Sequence, residues 1–578
     1  MKKKTSMLLI AAIAATVLFT QGETEARKAQ IPPRPDGPVQ NMDVPFPIGV
    51  FWIQRADEIT DASMEDIKNM NVNFLVPHNG TNSFATHDRV MDFAEAHDLK
   101  VMMFDERFNY QFTNNSNPLS EEVLAAPQDI VNHYKGRPGL LGYNIIDEPT
   151  GYESIDNVAQ VQELFRTYDP EHMTFVNLTG YWDNYNHTGY TKEISGDYAR
   201  PDSLLGQTFR TQPDEKQITS IQIWLDFNQF KDDERLTMNI WDSSGKKKLI
   251  DSSTITAEAA KVFTTFNFDA KVKGNTDYYW EIVHEGGGDS SVGWIVRSKD
   301  GENWYPQGTG SVNGTPFNGD FFFFVNSSFY ENYVSQWASK NPDMLSFDTY
   351  PFSINGGIEQ HTYRTLEIVR RQALKHNLDL WSYMQSVGID ALREPDEGEM
   401  RYNLYTHLAY GVKGIIYFTY GTPPIPGFHD GLLNSNNEIT DKYYYAQQNN
   451  ADLLQLGETL TQLTSLAVYH TGSTIPEATN RLPAKSAVQP ADNNEPYIIS
   501  YFEHQNGDPY VMIVNRDYDN ASEGTFTFKH KPKWIQEISK ENGEAVDTDY
   551  VRNTGTLTLS FKEGEGILLK LPAGYNLD

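Results

Sequence analysis

The stretch LLGYNIIDEPTG, residues 140–151, ends an apolar run on two adjacent carboxylates, Asp147 and Glu148, followed by Pro149. Paired carboxylates at the end of a buried strand suit general acid/base work, in which one donates a proton while its neighbour tunes how tightly that proton is held. The same residues also suit an ordinary helix start, because proline fits the first helical position and acidic groups complement the helix dipole. Along an ideal strand Asp147 and Glu148 point to opposite faces, so both reach one pocket only if the strand stops there. Pro149 supplies such a stop.

Seven further apolar runs carry residues of similar chemistry at or near their ends. FPIGVFWIQ (46–54) ends on Trp52 and Gln54, VNFLVPH (72–78) on His78, KVMMFDER (100–107) on Asp105, Glu106 and Arg107, and MTFVNLTG (173–180) carries Asn177. MLSFDTYPF (344–352) carries Asp348 and Tyr350, LDLWSYMQSVG (378–388) carries Trp381, Tyr383 and Gln385, and GIIYFTYG (414–421) carries Tyr417 and Tyr420. Aromatics, carboxylates and amides are the materials of a sugar site: pyranose faces stack on rings, and hydroxyls take paired hydrogen bonds. Plainer roles compete with that one. Asp105, Glu106 and Arg107 suit an internal salt bridge, Tyr350 a core tyrosine after a turn, and Trp381 packing. His78 stands alone, without the further ligands that a zinc site needs, so no metal and no cofactor are expected.

The elements that must position these residues are eight βα units. The eight runs read as continuous apolar strands, and helical patterns such as ASMEDIKNM, RVMDFAEAHD, NVAQVQELFRTYD and EMRYNLYTHLAYG lie between them. Parallel strands buried on both faces read in this way, and eight of them predict a (β/α)8 TIM barrel, α/β in class, with its chemistry at the C-terminal ends of the strands. The barrel is expected in two parts, 44–200 and 328–466. Between them, 201–327 alternates in short strands with Gly, Asn and Asp turns and predicts an inserted antiparallel β-sandwich; 467–578 predicts a second sandwich closing the chain.

Composition agrees with several soluble domains: 578 residues, of which 39% are hydrophobic and 22% charged. Residues 1–26 have three lysines, an apolar stretch from Leu8 to Phe19, and small residues around Ala26, the layout of a signal peptide, so export to the periplasm or the medium is expected. No later run suggests insertion in a membrane. The net charge of −31 argues against a nucleic-acid partner. With no cysteine, thiolate chemistry and disulfides are excluded.

In LLGYNIIDEP, PDMLSFDTYPF and LREPDEGEMRYNLYTHLAYGVKGIIYFTY the barrel resembles clan A glycoside hydrolases, most closely the family 42 β-galactosidase-like group. The resemblance implies a glycoside hydrolase acting on a carbohydrate, with Glu148 as general acid, because the clan's fourth strand ends in Asn-Glu. It also implies a nucleophilic glutamate at the end of strand seven. This chain departs at both places, with Asp147 for the asparagine and Gln385 where the nucleophile stands. An amide cannot form a covalent glycosyl-enzyme, which leaves three readings. Asp348 or the Asp105/Glu106 pair activates water in an inverting enzyme, whose carboxyls stand about 6.5–9.5 Å apart. Alternatively, Asp147 orients a 2-acetamido group as internal nucleophile while Glu148 protonates the leaving oxygen, as the similar Asp-Glu pairs of substrate-assisted hexosaminidases imply. In the third, the barrel binds glycan without cleaving it. The candidate catalytic residues are Glu148, Asp147 and Asp348, and the candidate substrate contacts are Gln385, Tyr350, Trp381, Asn177, Asp105, Glu106, Trp52 and Tyr417. The inserted sandwich resembles jelly-roll carbohydrate-binding modules in LGQTFRT and NTDYYWEIV. Trp224, Trp241, Trp280, Trp294 and Trp304 are its candidate binding face, most of them expected in the core.

Overall fold

Each of the eight apolar runs forms one strand of a closed parallel barrel: β1 (Ile48–Phe51), β2 (Phe74–Val76), β3 (Lys100–Phe104), β4 (Leu140–Asp147), β5 (Met173–Leu178), β6 (Leu345–Phe347), β7 (Leu380–Gln385) and β8 (Val412–Phe418). The order around the barrel is β1-β8-β7-β6-β5-β4-β3-β2, with every neighbouring pair parallel. The computed structural model describes residues 42 and 44–577 apart from 82, 109–117, 150–151, 181–193, 200–202, 212–214, 229–233, 257–262, 286–292, 299–304, 306, 328, 355, 360 and 391. The predicted signal peptide, 1–26, lies outside the described residues. Among those described, no helix is long and apolar enough to cross a membrane.

The strands are apolar on both faces because both faces are covered. Phe51, Phe74, Met102, Phe175, Trp381 and Ile416 fill the barrel interior, while Ile48, Val50, Leu75, Val101, Leu345 and Ile415 face the helices. Two glycines make room for the interior rings. A Cβ on Gly49 would stand 2.3 Å from the Phe74 ring, and one on Gly414 2.6 Å from the Trp381 indole.

The helices are α1 (Asp61–Asn69), α2 (Phe84–Ala96), α3 (Glu121–Tyr134), α4 (Tyr152–Tyr168), α5 (Phe329–Ala338), α6 (Thr362–His376), α7 (Glu397–Ala409) and α8 (Asp441–Leu460). Side chains and main chain cap each other reciprocally at the starts of α1 (Thr60, Ser63), α2 (Ser83, Thr86) and α7 (Asp396, Glu399), which fixes where those helices begin. α7 is buried along most of its length, with no polar stripe, because it lies between the barrel and the C-terminal sandwich.

That sandwich pairs a six-stranded with a three-stranded antiparallel sheet. In its strands Tyr497–His504 and Pro509–Asn515, Phe502, Met512 and Val514 pack toward the barrel core, while Ile499, Val511 and Ile513 pack into the sandwich itself. Its first strand, Leu463–His470, begins before the expected boundary at 466/467. The insertion lies between β5 and α5 and consists of two antiparallel sheets over a core that includes Phe209, Ile240, Trp280 and Phe323. It also begins earlier than expected: Ile194–Ala199 pairs with Gly293–Ser298 inside one of these sheets, and its short polar sequence ISGDYA carries no apolar run to announce it.

The close approach at Gly414 gives a test of barrel packing. Gly414→Ala should destabilise the protein by about 1–3 kcal/mol by displacing the Trp381 ring. A urea midpoint equal to that of wild type would mean that the ring has room to move.

Candidate active site

Strict alternation from Tyr143, whose phenol faces the helical shell and donates to Asp169 Oδ2 at 2.6 Å, would send Asp147 to the same shell. A bulge prevents it. The β4/β5 register shifts between Asn144 and Ile146, and Ile145 and Ile146 both join the shell core, so Asp147 turns to the barrel mouth instead. Glu148 follows with φ +48°, a left-handed backbone that glutamate rarely adopts and that costs about 1–3 kcal/mol. The neighbours hold it there. The Glu148 N–H donates to Asn177 O at 2.9 Å, and the Tyr333 phenol of α5 donates to Pro149 O at 2.7 Å. Strand end, bulge and strained turn together bring two consecutive carboxylates to one place.

The third carboxyl comes from the end of β6, and one amide ties it to the first. Asn177 Nδ2 donates to Asp147 Oδ1 at 3.0 Å and to Asp348 Oδ2 at 2.9 Å, while its Oδ1 accepts from Ser346 Oγ at 3.2 Å. The other Asp348 oxygen accepts from the Gly180 N–H at 2.9 Å. Glu148, the next residue after Asp147, is the neighbour whose charge acts most strongly on Asp348. Burial first, then the neighbouring Glu148 carboxyl and the charge of Asp147, hold Asp348 well above the usual carboxylate range. Asp147 is pushed up to about 7, by burial first and the Glu148 charge second, against the opposing Asn177 hydrogen bond. Glu148 is exposed, Asp147 half-buried and Asp348 buried, so the cluster presents one carboxyl outward and backs it with two others.

Tyrosines and other rings complete the mouth. Tyr330 of α5 donates to Thr179 O at 2.9 Å beside the cluster. Tyr350 stacks on Phe418 at 5.0 Å, and Tyr383 meets Phe51 edge-on at 5.6 Å; burial and the three carboxyls raise both phenols well above their ordinary range. At the ends of β1 and β2, Trp52 and His78 both have left-handed backbones, with φ +62° and +52°, and their rings lie 5.2 Å apart. Burial pushes His78 down to about 4, so it is a neutral imidazole at neutral pH. Trp52 Nε1, His78 Nδ1 and the Tyr383 hydroxyl have no hydrogen-bond partner among the described residues.

The structure therefore brings together Asp147, Glu148, Asn177, Asp348 and Tyr350, and sets Trp52 among the rings at the end of β1. Four expected contacts have other roles. Asp105 is committed to Arg107 through two bonds of 2.8 Å, and Arg107 also reaches Asp129 at 3.3 Å. Trp381 is not a sugar platform: it is 0% exposed and packs on Phe74 and Phe175, four residues and roughly 13 Å below the strand end. Tyr417 points away from the mouth and donates to Asn450 of α8 at 2.9 Å. Gln385 is 1% exposed and spends its amide on main-chain groups. The side chain of Glu106 lies outside the described residues. In the insertion Trp280 is core and Trp241 donates to Glu281 at 2.8 Å; the side chains of Trp224, Trp294 and Trp304 lie outside the described residues. Sequence reasoning missed Tyr330 and Tyr333, which sit at a spacing normal for a buried helix face, and the Gly180 N–H, which no side chain advertises.

No protein-family model and no curated protein matches the chain in sequence. Solved structures of similar fold include a β-galactosidase from the psychrophilic Marinomonas ef1, at 8% identity and TM-score 0.38, covering 71% of this chain and 60% of that one. A glycoside hydrolase family 5 protein from Bacteroides vulgatus matches at 10% identity and TM-score 0.43, covering 91% of this chain and 89% of that one. The GH51 arabinofuranosidase from Xanthomonas axonopodis pv. citri matches at 9% identity and TM-score 0.35, covering 92% and 97%.

The raised Asp147 pKa makes stability depend on pH with a definite sign. Unfolded, this carboxyl ionises near 3.8; folded, near 7, so the native state holds a proton that the unfolded chain has lost, and stability falls as pH rises from about 4 to about 7. Asp147→Asn removes that loss. Its unfolding free energy should exceed that of wild type on the order of 4 kcal/mol at about pH 8, and the two should converge near pH 4. A difference that stays constant with pH would contradict the shift.

Proposed function

We propose that this protein is an exported glycoside hydrolase in which Glu148 is the general acid and Asp348 the partner carboxyl. The observation that carries this reading is the convergence of three carboxyls at the barrel mouth, where Asn177 ties Asp147 to Asp348 and the exposed Glu148 stands beside them. When a glycosidic oxygen approaches the exposed Glu148, the proton held on Asp348 passes through Glu148 to the leaving oxygen. The C–O bond breaks, and Asp348 is left ionised facing the anomeric carbon, where positive charge has developed. Attack by Asp348 gives a glycosyl ester. Water, deprotonated by Glu148, then hydrolyses the ester, releases the sugar and returns the proton to the carboxyl pair. Attack by a carboxyl retains configuration and calls for a pair about 5–5.5 Å apart, whereas an inverting pair stands about 6.5–9.5 Å apart to admit water. Export rests on the lysine-led apolar N-terminus.

Asp147 supports a second reading. A carboxyl poised near 7 beside the acid also suits the orientation of a 2-acetamido group, with the substrate's own oxygen as nucleophile. Both routes retain configuration and differ in what they require of the sugar.

Glu148→Gln and Asp348→Asn should each lower kcat on a panel of oligosaccharides by about 10²–10⁴-fold. Proton NMR of the first product should show retained anomeric configuration, and inversion would rule out both routes. A mechanism-based 2-fluoro glycoside should label Asp348; activity confined to 2-acetamido sugars with no label would assign the attack to the substrate. Binding without cleavage in wild type, unchanged in Glu148→Gln, would make the barrel a glycan-binding protein.

A further inference from the structure

Gln385 occupies the end of β7, where the resembling hydrolases carry their nucleophile, and its amide is fully engaged. Nε2 donates to Val387 O at 3.2 Å and to Arg393 O at 2.9 Å, and Oε1 accepts the Phe352 N–H at 3.0 Å. Phe352 lies four residues after Asp348 and two after Tyr350, on the loop that leaves β6. Its carbonyl in turn accepts the Arg393 N–H at 3.0 Å, so both main-chain polar groups of Phe352 are tied to β7 and its loop. The Arg393 guanidinium extends the clamp, donating to Gly357 O at 3.1 Å, lying 5.4 Å from the Phe352 ring centroid, and pairing with Glu399 of α7.

We infer that Gln385 is a positioning residue for Asp348, and that an amide is required at this place. The inference rests on the reading of Asp348 as the partner of Glu148. The position must donate twice and accept once. A carboxylate only accepts, and it would set its oxygens against two carbonyl oxygens. The end of β7 is thereby withdrawn from nucleophilic duty, and the partner carboxyl comes from the neighbouring strand. Charged groups on the surrounding segments do not offset this. Asp348 on the β6 side is acidic, Arg393 is paired with Glu399, and Glu394 of the same loop is paired with Lys442 of α8.

The test uses the full chain with Gln385→Glu and Gln385→Met. The introduced carboxyl keeps one donor only while protonated, whereas the thioether keeps none at any pH. At about pH 8 both variants should lose about a hundredfold in kcat with KM within about threefold of wild type. Because burial against two carbonyl oxygens raises the introduced carboxyl above the ordinary glutamate range, at about pH 5 Gln385→Glu should recover most of that loss and Gln385→Met none of it. Activity of Gln385→Glu equal to wild type at the higher pH, or labelling of the introduced side chain by the 2-fluoro glycoside, would overturn the inference, as would a loss that does not change with pH. If wild type cleaves nothing, the hydrolase reading fails by itself, and thermal unfolding then decides the clamp. The midpoint gap between wild type and Gln385→Glu widens from about pH 5 to about pH 8 if the amide is required, and stays constant if it is not.

Discussion

The amide of Asn177 is the interaction on which the site depends. Three carboxyls converge at the barrel mouth, and in a partly dry cleft they cannot all ionise at ordinary pH. Asn177 spends both hydrogens of its Nδ2 on two of them, and the charge of the third, Glu148, helps to raise both. Because Asn177 sits on β5, between the strands that carry Asp147 and Asp348, the bridge exists only while β4, β5 and β6 keep their order and register. The barrel is the means by which two otherwise repulsive acids are kept within reach of one amide.

Strain at the site is supported from outside the strands. Glu148 holds a left-handed backbone, and the phenol of Tyr333 fixes the residue after it. Tyr333 and Tyr330 belong to α5, which the chain reaches only after the whole inserted sandwich. An insertion of that length is tolerable because loop-closure entropy grows only slowly with loop length. The helix returns to the same mouth, so the insertion interrupts the sequence without interrupting the contacts that hold Glu148.

Much of this was legible in the sequence, for identifiable reasons. Parallel strands covered on both faces read as unbroken apolar runs, so all eight were visible, and the rule that barrel chemistry lies at strand C-termini reduced the search to a few residues. Asp147, Glu148, Asn177 and Asp348 come from that rule. What it could not supply was depth and direction. Trp381 lies below the mouth on the inner face, and Tyr417 lies on the outer face beside the inward Ile416. The β4 bulge was hidden because Ile145 and Ile146 are chemically alike, so no change of residue type marks the shift. Gln385 was visible as an anomaly, but its role depends on carbonyls of other residues, which carry no sequence signature.

The C-terminal sandwich also bears on the site, through direct packing. Tyr518 on one of its loops has its ring 6.2 Å from Phe352 and 5.4 Å from Tyr402 of α7. A Cβ on Gly398, in the first turn of α7, would stand 2.2 Å from Tyr518 O, so helix and loop are in close contact there. One residue further along, Glu399 closes the α7 cap with Asp396 and pairs with Arg393, whose carbonyl holds Gln385 and whose N–H holds Phe352. The loop carrying Asp348 is thus pressed from the sandwich side and tied from the β7 side. This accounts for α7 being buried along most of its length: it is packed between the sandwich and the barrel beside the loop that carries Asp348, and an exposed polar face would loosen that packing.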